Sequence, residues 1–152
     1  MRKISKLLSI FFLCLISTLC FYACDNSGGS DSITLSMDEP AIIDCVLAID
    51  VTDNRPDGIT DTFFDSSDRI YLWIYWENVR GRHTAEVEWI SPEDDFDEPP
   101  HRTDRESFTS STGGAITWFY IERPVGGFDQ GEWFVDIYLD GYFERSLIFL
   151  VD

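Results

Sequence analysis

The chain has 152 residues, of which 28 are acidic and 11 are basic, and its formal net charge is −17. A field this negative repels nucleic acid and anionic membrane surfaces, which argues against a nucleic-acid-binding role. The length beyond residue 23 allows one domain with a hydrophobic core.

The first 22 residues have the pattern of a signal peptide. Three basic residues within positions 1–6 precede an apolar run over residues 7–22, which only two serines and one threonine interrupt. The run is shorter than the roughly 20 residues that a bilayer-spanning helix needs. Its length is typical of a signal-peptide core.

Residues 21–24, Phe-Tyr-Ala-Cys, resemble the lipobox of bacterial lipoproteins, with Ala23 and Cys24 at the family's positions. The resemblance implies a signal peptide over residues 1–23 and acyl chains on Cys24. Several acyl chains give a stable membrane anchor. An uncleaved anchor and an ordinary secretory signal are the alternatives, and Cys20 is a competing site.

The lipoprotein resemblance implies a place in the bacterial cell envelope, with the folded domain in the periplasm or on the cell exterior. Asp25 resembles the signal that retains enteric lipoproteins in the inner membrane. That rule varies among bacteria, so the choice between inner and outer membrane stays open. Residues 24–32 then form the lipidated cysteine and a flexible Gly/Ser-rich linker, and residues 33–152 form the domain.

Removal of residues 1–23 leaves eight arginines against 28 acidic residues, a net charge of −20. Cys45 is then the only cysteine beyond Cys24. No disulfide can form within the domain, and the apolar alternation around Cys45 predicts that this thiol lies in the core.

From residue 33 onwards the sequence predicts an all-β domain, because short β-rich runs alternate with clusters of Gly, Pro, Asp and Asn. The dipeptide Asp140-Gly141 predicts a type I′ hairpin between the last two strands. The predicted strands are residues 33–36, 42–51, 69–77, 84–90, 115–122, 133–140 and 143–151, with a weaker one at 107–110.

The closing hairpin over residues 131–151 resembles that of bacterial immunoglobulin-like or fibronectin-III-like domains, and residues 70–74 and 89–92 resemble inner strands of such modules. The resemblance implies an immunoglobulin-like antiparallel β-sandwich of about seven or eight strands. Residues 33–152 do not contain the inter-sheet cysteine pair of antibody domains. These motifs describe folding rather than chemistry.

Two acidic segments are candidate cation sites. In residues 50–61, Asp53, Asp57 and Asp61 have an EF-hand-like spacing around Gly58, which suggests a calcium site. Arg55 and Phe64, however, occupy positions where that pattern needs oxygen donors, so a solvated turn is the alternative reading. Residues 93–98 contain five acids and are predicted to be an exposed loop.

Aromatic side chains offer a candidate binding face. Residues 69–77 are apolar on both faces of the predicted strand, so Tyr71, Trp73 and Tyr75 form a second row that is either covered or exposed. An exposed row could dock a protein or stack on sugar rings. Core packing and cross-strand aromatic pairs explain most of the other aromatic residues.

The sequence contains no nucleophile elbow, P-loop, dinucleotide fingerprint or His-x-x-x-His pair, so we do not expect an enzyme and predict no cofactor. The expected function is a non-catalytic binding or accessory module for a protein partner in the envelope. The alternative is a carbohydrate-binding module that uses an aromatic face with the help of calcium. A hydrolase is the most remote candidate.

Overall fold

The computed structural model describes residues 39–93 and 100–152. All of them belong to one compact unit, Leu35–Asp152. Cys24, the leader, the linker, the predicted strand at 33–36 and all of the acidic loop except Glu93 lie outside the described residues. No helix in the described part is long and apolar enough to cross a membrane.

The domain is all-β and forms two packed sheets, as the sequence predicted. A four-stranded sheet has the order β2-β1-β4-β7, and a five-stranded sheet has the order β3-β9-β8-β5-β6. The nine strands are β1 Ala41–Thr52, β2 Arg55–Ile59, β3 Thr62–Phe63, β4 Arg69–Glu77, β5 Gly81–Ile90, β6 Arg102–Ser110, β7 Ala115–Glu122, β8 Gly131–Leu139 and β9 Tyr142–Val151.

Two short strands depart from the predicted count of seven or eight. β2 lies within residues 50–61, which the sequence predicted to be a calcium site or a solvated turn, and Thr52 pairs with Arg55 across a two-residue turn. Asp53 and Asn54 in this turn both have positive φ, at 49° and 59°, which these two residue types tolerate. β3 pairs with β9 in parallel, so the sandwich is antiparallel except at this contact.

The core lies between the sheets and consists of alternate residues from facing strands. β4 contributes Ile70, Leu72, Ile74 and Trp76, all with no exposed surface. β5 and β8 contribute the rows that the alternation predicted, namely Ala85, Val87, Trp89, Trp133, Val135, Ile137 and Leu139. Cys45 is buried among these apolar residues, which confirms its predicted position.

The β8–β9 hairpin has the predicted type I′ geometry. Asp140 and Gly141 have φ angles of 52° and 85°, and Leu139 pairs with Tyr142 on either side of the turn. The Asp140 carboxylate also accepts a hydrogen bond from the Thr84 backbone N–H at 2.8 Å. This turn therefore ties the hairpin to the start of β5.

Candidate binding surface

The outer face of the four-stranded sheet carries a row of aromatic residues on two neighbouring strands. The β4–β7 register places Tyr71 opposite Tyr120, Trp73 opposite Trp118, and Tyr75 opposite Ile116. We call these six residues the aromatic face. The three residues of β4 that the sequence singled out therefore lie on one surface, next to a matching row from β7.

The rings of the aromatic face contact one another across and along the strands. The ring centroids of Tyr71 and Tyr120 are 5.5 Å apart, and those of Tyr71 and Trp118 are 6.2 Å apart. Trp118 and Tyr120 lie nearly parallel at 6.3 Å, as Trp73 and Tyr75 do at 6.5 Å. Such pairs stabilise the sheet from its outer side.

Exposure is unequal across the aromatic face. Tyr71 is only 8% exposed, whereas Ile116 and Trp118 of β7 are 40% and 39% exposed. The indole N–H of Trp73 donates to the backbone carbonyl of Asn54 at 2.8 Å. The turn between β1 and β2 therefore reaches Trp73 on the outer side, and β7 carries the most accessible part of the surface.

Charged residues border the aromatic face at both ends. Arg69 donates to Glu122 at 2.8 Å, and its guanidinium lies 4.8 Å from the ring centroid of Tyr120. Hydrogen bonds to Tyr71 and then Glu122 raise the pKa of Arg69 above its already high usual value. At the other end the Tyr75 hydroxyl donates to Glu77 at 3.3 Å. These polar groups already bond to each other.

The structure does not gather the three predicted calcium ligands. Asp53 lies in the β1–β2 turn, Asp57 lies inside β2 opposite Asp50, and Asp61 follows the end of that strand. The described residues include no group of three or more acidic, His or Cys side chains that could hold a metal.

Cys45 has a charged neighbour that its position in the sequence did not reveal. Burial raises the pKa of the Cys45 thiol, and the nearby Arg145 opposes that effect. Arg145 reaches across from β9 and approaches the Cys45 Sγ atom at 3.5 Å and the Ile42 carbonyl at 3.4 Å. The pairing joins the two sheets at their edge, and the thiol stays largely protonated.

His83 has a structural environment rather than a metal-binding one. Its Nδ1 atom lies 2.7 Å from a carboxylate oxygen of Asp140, and its Nε2 atom lies 3.2 Å from the Arg80 carbonyl. Burial raises the pKa of Asp140, but the hydrogen bonds from His83 and Thr84 outweigh burial and hold that pKa below its usual value. His83 therefore supports the hairpin turn.

No family model matches the chain, and no curated protein does so either. Among solved structures, it is similar to a β-D-glucoside glucohydrolase from Trichoderma reesei at 12% identity and a TM-score of 0.46, over 76% of this chain and 19% of that enzyme. It is also similar to the β-glucosidase from Kluyveromyces marxianus at 13% identity and a TM-score of 0.34, over 75% of this chain and 15% of that enzyme. This chain therefore spans less than a fifth of either enzyme, and the likeness carries no argument about activity.

Proposed function

We propose that this protein is a lipid-anchored lipoprotein of the bacterial cell envelope, whose β-sandwich binds a protein partner and catalyses no reaction. The observation that supports binding is the exposed part of the aromatic face. Ile116 and Trp118 lie side by side in the aromatic face, and each leaves about two-fifths of its surface in solvent. Exposed apolar surface of this kind marks interaction sites.

The chemistry of this surface favours a protein partner over a sugar. A sugar site needs polar groups that orient the hydroxyls beside an aromatic ring. The polar groups next to these rings already bond to each other, as Arg69 does to Glu122 and Tyr75 does to Glu77. Ile116 adds aliphatic surface, which suits contact with apolar side chains of another protein.

The membrane anchor in this proposal rests on the lipobox-like motif that ends at Cys24. Residues 25–32 are all polar or glycine in sequence, and eight residues, if fully extended, would span at most about 26 to 29 Å. A partner would therefore meet the domain close to the membrane surface. The negative charge of the domain favours a partner with basic residues around an apolar centre.

A comparative cross-linking experiment in native envelopes tests the binding role. We expect wild type and Tyr142→Ala to cross-link the same protein, because Tyr142 is 76% exposed but lies on β9, away from the aromatic face. Trp118→Ala should lose that protein. Equal recovery with all three chains would contradict the assignment of this surface.

A glycan array tests the carbohydrate alternative. Binding by wild type that is lost in Trp118→Ala would establish that alternative instead.

A labelled fatty acid tests the anchor independently. We expect incorporation into wild type and into Cys20→Ser, which removes only the competing cysteine, and no incorporation into Cys24→Ser. Cys24→Ser should also be recovered without its membrane attachment. Labelling that survives Cys24→Ser would overturn the proposed anchor without affecting the binding role.

A further inference from the structure

The two sheets have four edge strands, and three of them are protected against pairing with another chain. β2 contains a proline and two charged residues within five positions, and β3 is only two residues long. β6 carries four charged residues, Arg102, Asp104, Arg105 and Glu106. Charges, prolines and short length are the usual means by which proteins prevent association at sheet edges.

β7 is the fourth edge strand, and its only charged residue is Glu122 at its end. Its residues 115–121 are seven consecutive uncharged residues without proline. It pairs with β4 through eight successive residue pairs without a bulge. In the described part of the chain no other strand pairs with its second side, so a straight row of backbone donors and acceptors lies beside Ile116 and Trp118.

We propose that a second copy of this chain pairs with the free edge of β7, antiparallel to it and with the two-fold axis at Trp118. The two four-stranded sheets would then form one continuous sheet. In this register Trp118 faces Trp118 of the second copy, and Ile116 faces Tyr120 of the second copy. Aromatic and β-branched cross-strand pairs of this kind are favourable.

A second copy of β7 can pair with β7 without bringing like charges opposite each other. With the axis at Trp118, all seven uncharged residues of one copy pair with the seven of the other. Glu122 then faces Gly114 of the second copy rather than an acidic residue. Arg102 of β6 lies close enough to Glu122 that this carboxylate, after Asp104, contributes to raising the pKa of Arg102, so a positive charge is already present beside Glu122. The pairing therefore brings no like charges directly together.

This inference stands apart from the proposed protein partner. A dimer would join two aromatic faces side by side, since Trp73 and Trp118 of each copy lie in the same row across the sheet. A partner with two binding segments would then bind more tightly through their linkage. The dimer is measured by the sedimentation of the protein alone and the partner by cross-linking to a different protein, so the two proposals fail separately.

Disulfide trapping tests the geometry with the full chain in its host envelope. Directly opposed residues of an antiparallel pair have Cβ atoms about 4.5 to 5.5 Å apart, close to the range for a disulfide. We expect Trp118→Cys to form a covalent dimer, and the double variant Ile116→Cys/Tyr120→Cys to do so with Trp118 retained. Thr103→Cys, on the exposed edge strand β6, is the control and should remain monomeric.

Charge insertion tests the same edge without new cysteines. We expect the detergent-extracted wild type to sediment as a dimer and Ile116→Lys to sediment as a monomer. Ile148→Lys places the same charge at a residue of β9 that is 54% exposed and should remain dimeric. A monomeric wild type, or trapping that is equal at β7 and β6, would overturn the proposal. Circular dichroism of each variant establishes that it is folded.

Discussion

At the scale of single residues, the hydrogen bond from the Trp76 indole N–H to the Thr117 hydroxyl is the clearest test of the core. It is 2.9 Å long and buried. Thr117→Val keeps the shape of the side chain but leaves the indole N–H without its acceptor. We expect a loss of about 1 to 3 kcal/mol in the free energy of unfolding, measured by urea denaturation. Thr109→Val, at an exposed position of β6, should change it little, and an equal effect of both would contradict this account.

The pairing of Asp140 with His83 gives a residue-scale prediction about pH. Because the folded pKa of Asp140 lies below its usual value, its ionised form contributes stability above the unfolded pKa. That contribution is lost as the pH falls through the folded pKa. Asp140→Asn keeps a turn that suits the type I′ hairpin but removes the charge.

We therefore expect wild type to be more stable than Asp140→Asn at about pH 5 and the difference to shrink towards about pH 2. Urea denaturation at a series of pH values measures it. Asp57→Asn, at an exposed carboxylate of β2, is the matched control. A wild-type advantage that stays constant across this range would show that the carboxylate charge contributes no stability.

At the scale of elements, the β8–β9 hairpin depends on the backbone freedom of Gly141. Its φ is 85°, and a Cβ atom there would meet nothing within 4 Å. Gly141→Ala should therefore cost only the backbone strain, about 1 to 2 kcal/mol, in the free energy of unfolding. Gly114→Ala, where no positive φ is required and the nearest atom is 3.5 Å away, should cost less. Equal losses would mean that strain at the turn is not the cause.

The strand boundaries that the sequence predicted best are those of the long apolar runs. The prediction for residues 69–77 and 115–122 matches β4 and β7 to the residue, because long apolar runs between polar ends leave little choice of boundary. The sequence did not predict β2, because Arg55-Pro56-Asp57-Gly58 has no apolar alternation. Its strand geometry comes from pairing with β1 across the Asp53-Asn54 turn.

The candidate binding surface was predictable in composition but not in exposure. Alternation in β4 placed Tyr71, Trp73 and Tyr75 on one face, as the structure shows. The sequence could not show that the β1–β2 turn bonds to Trp73 or that β7 forms the edge of the sheet. Both facts depend on long-range pairing. As a result, the accessible part of this surface is at Trp118 and not at Tyr71.

At the scale of the whole molecule, the core stabilises the fold, whereas the surface decides whether two copies of the chain associate. The apolar residues between the sheets fix the sandwich without a disulfide, since Cys45 is a free, buried thiol. The excess of acidic residues keeps two copies apart at long range, with a net charge of −20 per chain once residues 1–23 are removed. Association therefore depends on whether a short uncharged edge can overcome that repulsion.

This balance makes the salt dependence of the dimer opposite to that of a complex with a basic partner. Repulsion between two acidic copies is screened as the Debye length falls from about 30 Å at 0.01 M salt to about 8 Å at 0.15 M. We therefore expect the dimer fraction of the full chain to rise with sodium chloride, measured by sedimentation velocity. Attraction to a basic partner should weaken over the same range.

The salt series has a control in Ile116→Lys, which should stay monomeric at every concentration because the lysine blocks the apolar edge at short range. Ile148→Lys adds the same positive charge elsewhere and should follow the wild-type curve. A wild-type dimer that dissociates as salt rises would show that attraction between opposite charges holds it. The uncharged strand β7 would then not be the interface, since pairing through its backbone and apolar residues contains no attraction that salt could weaken.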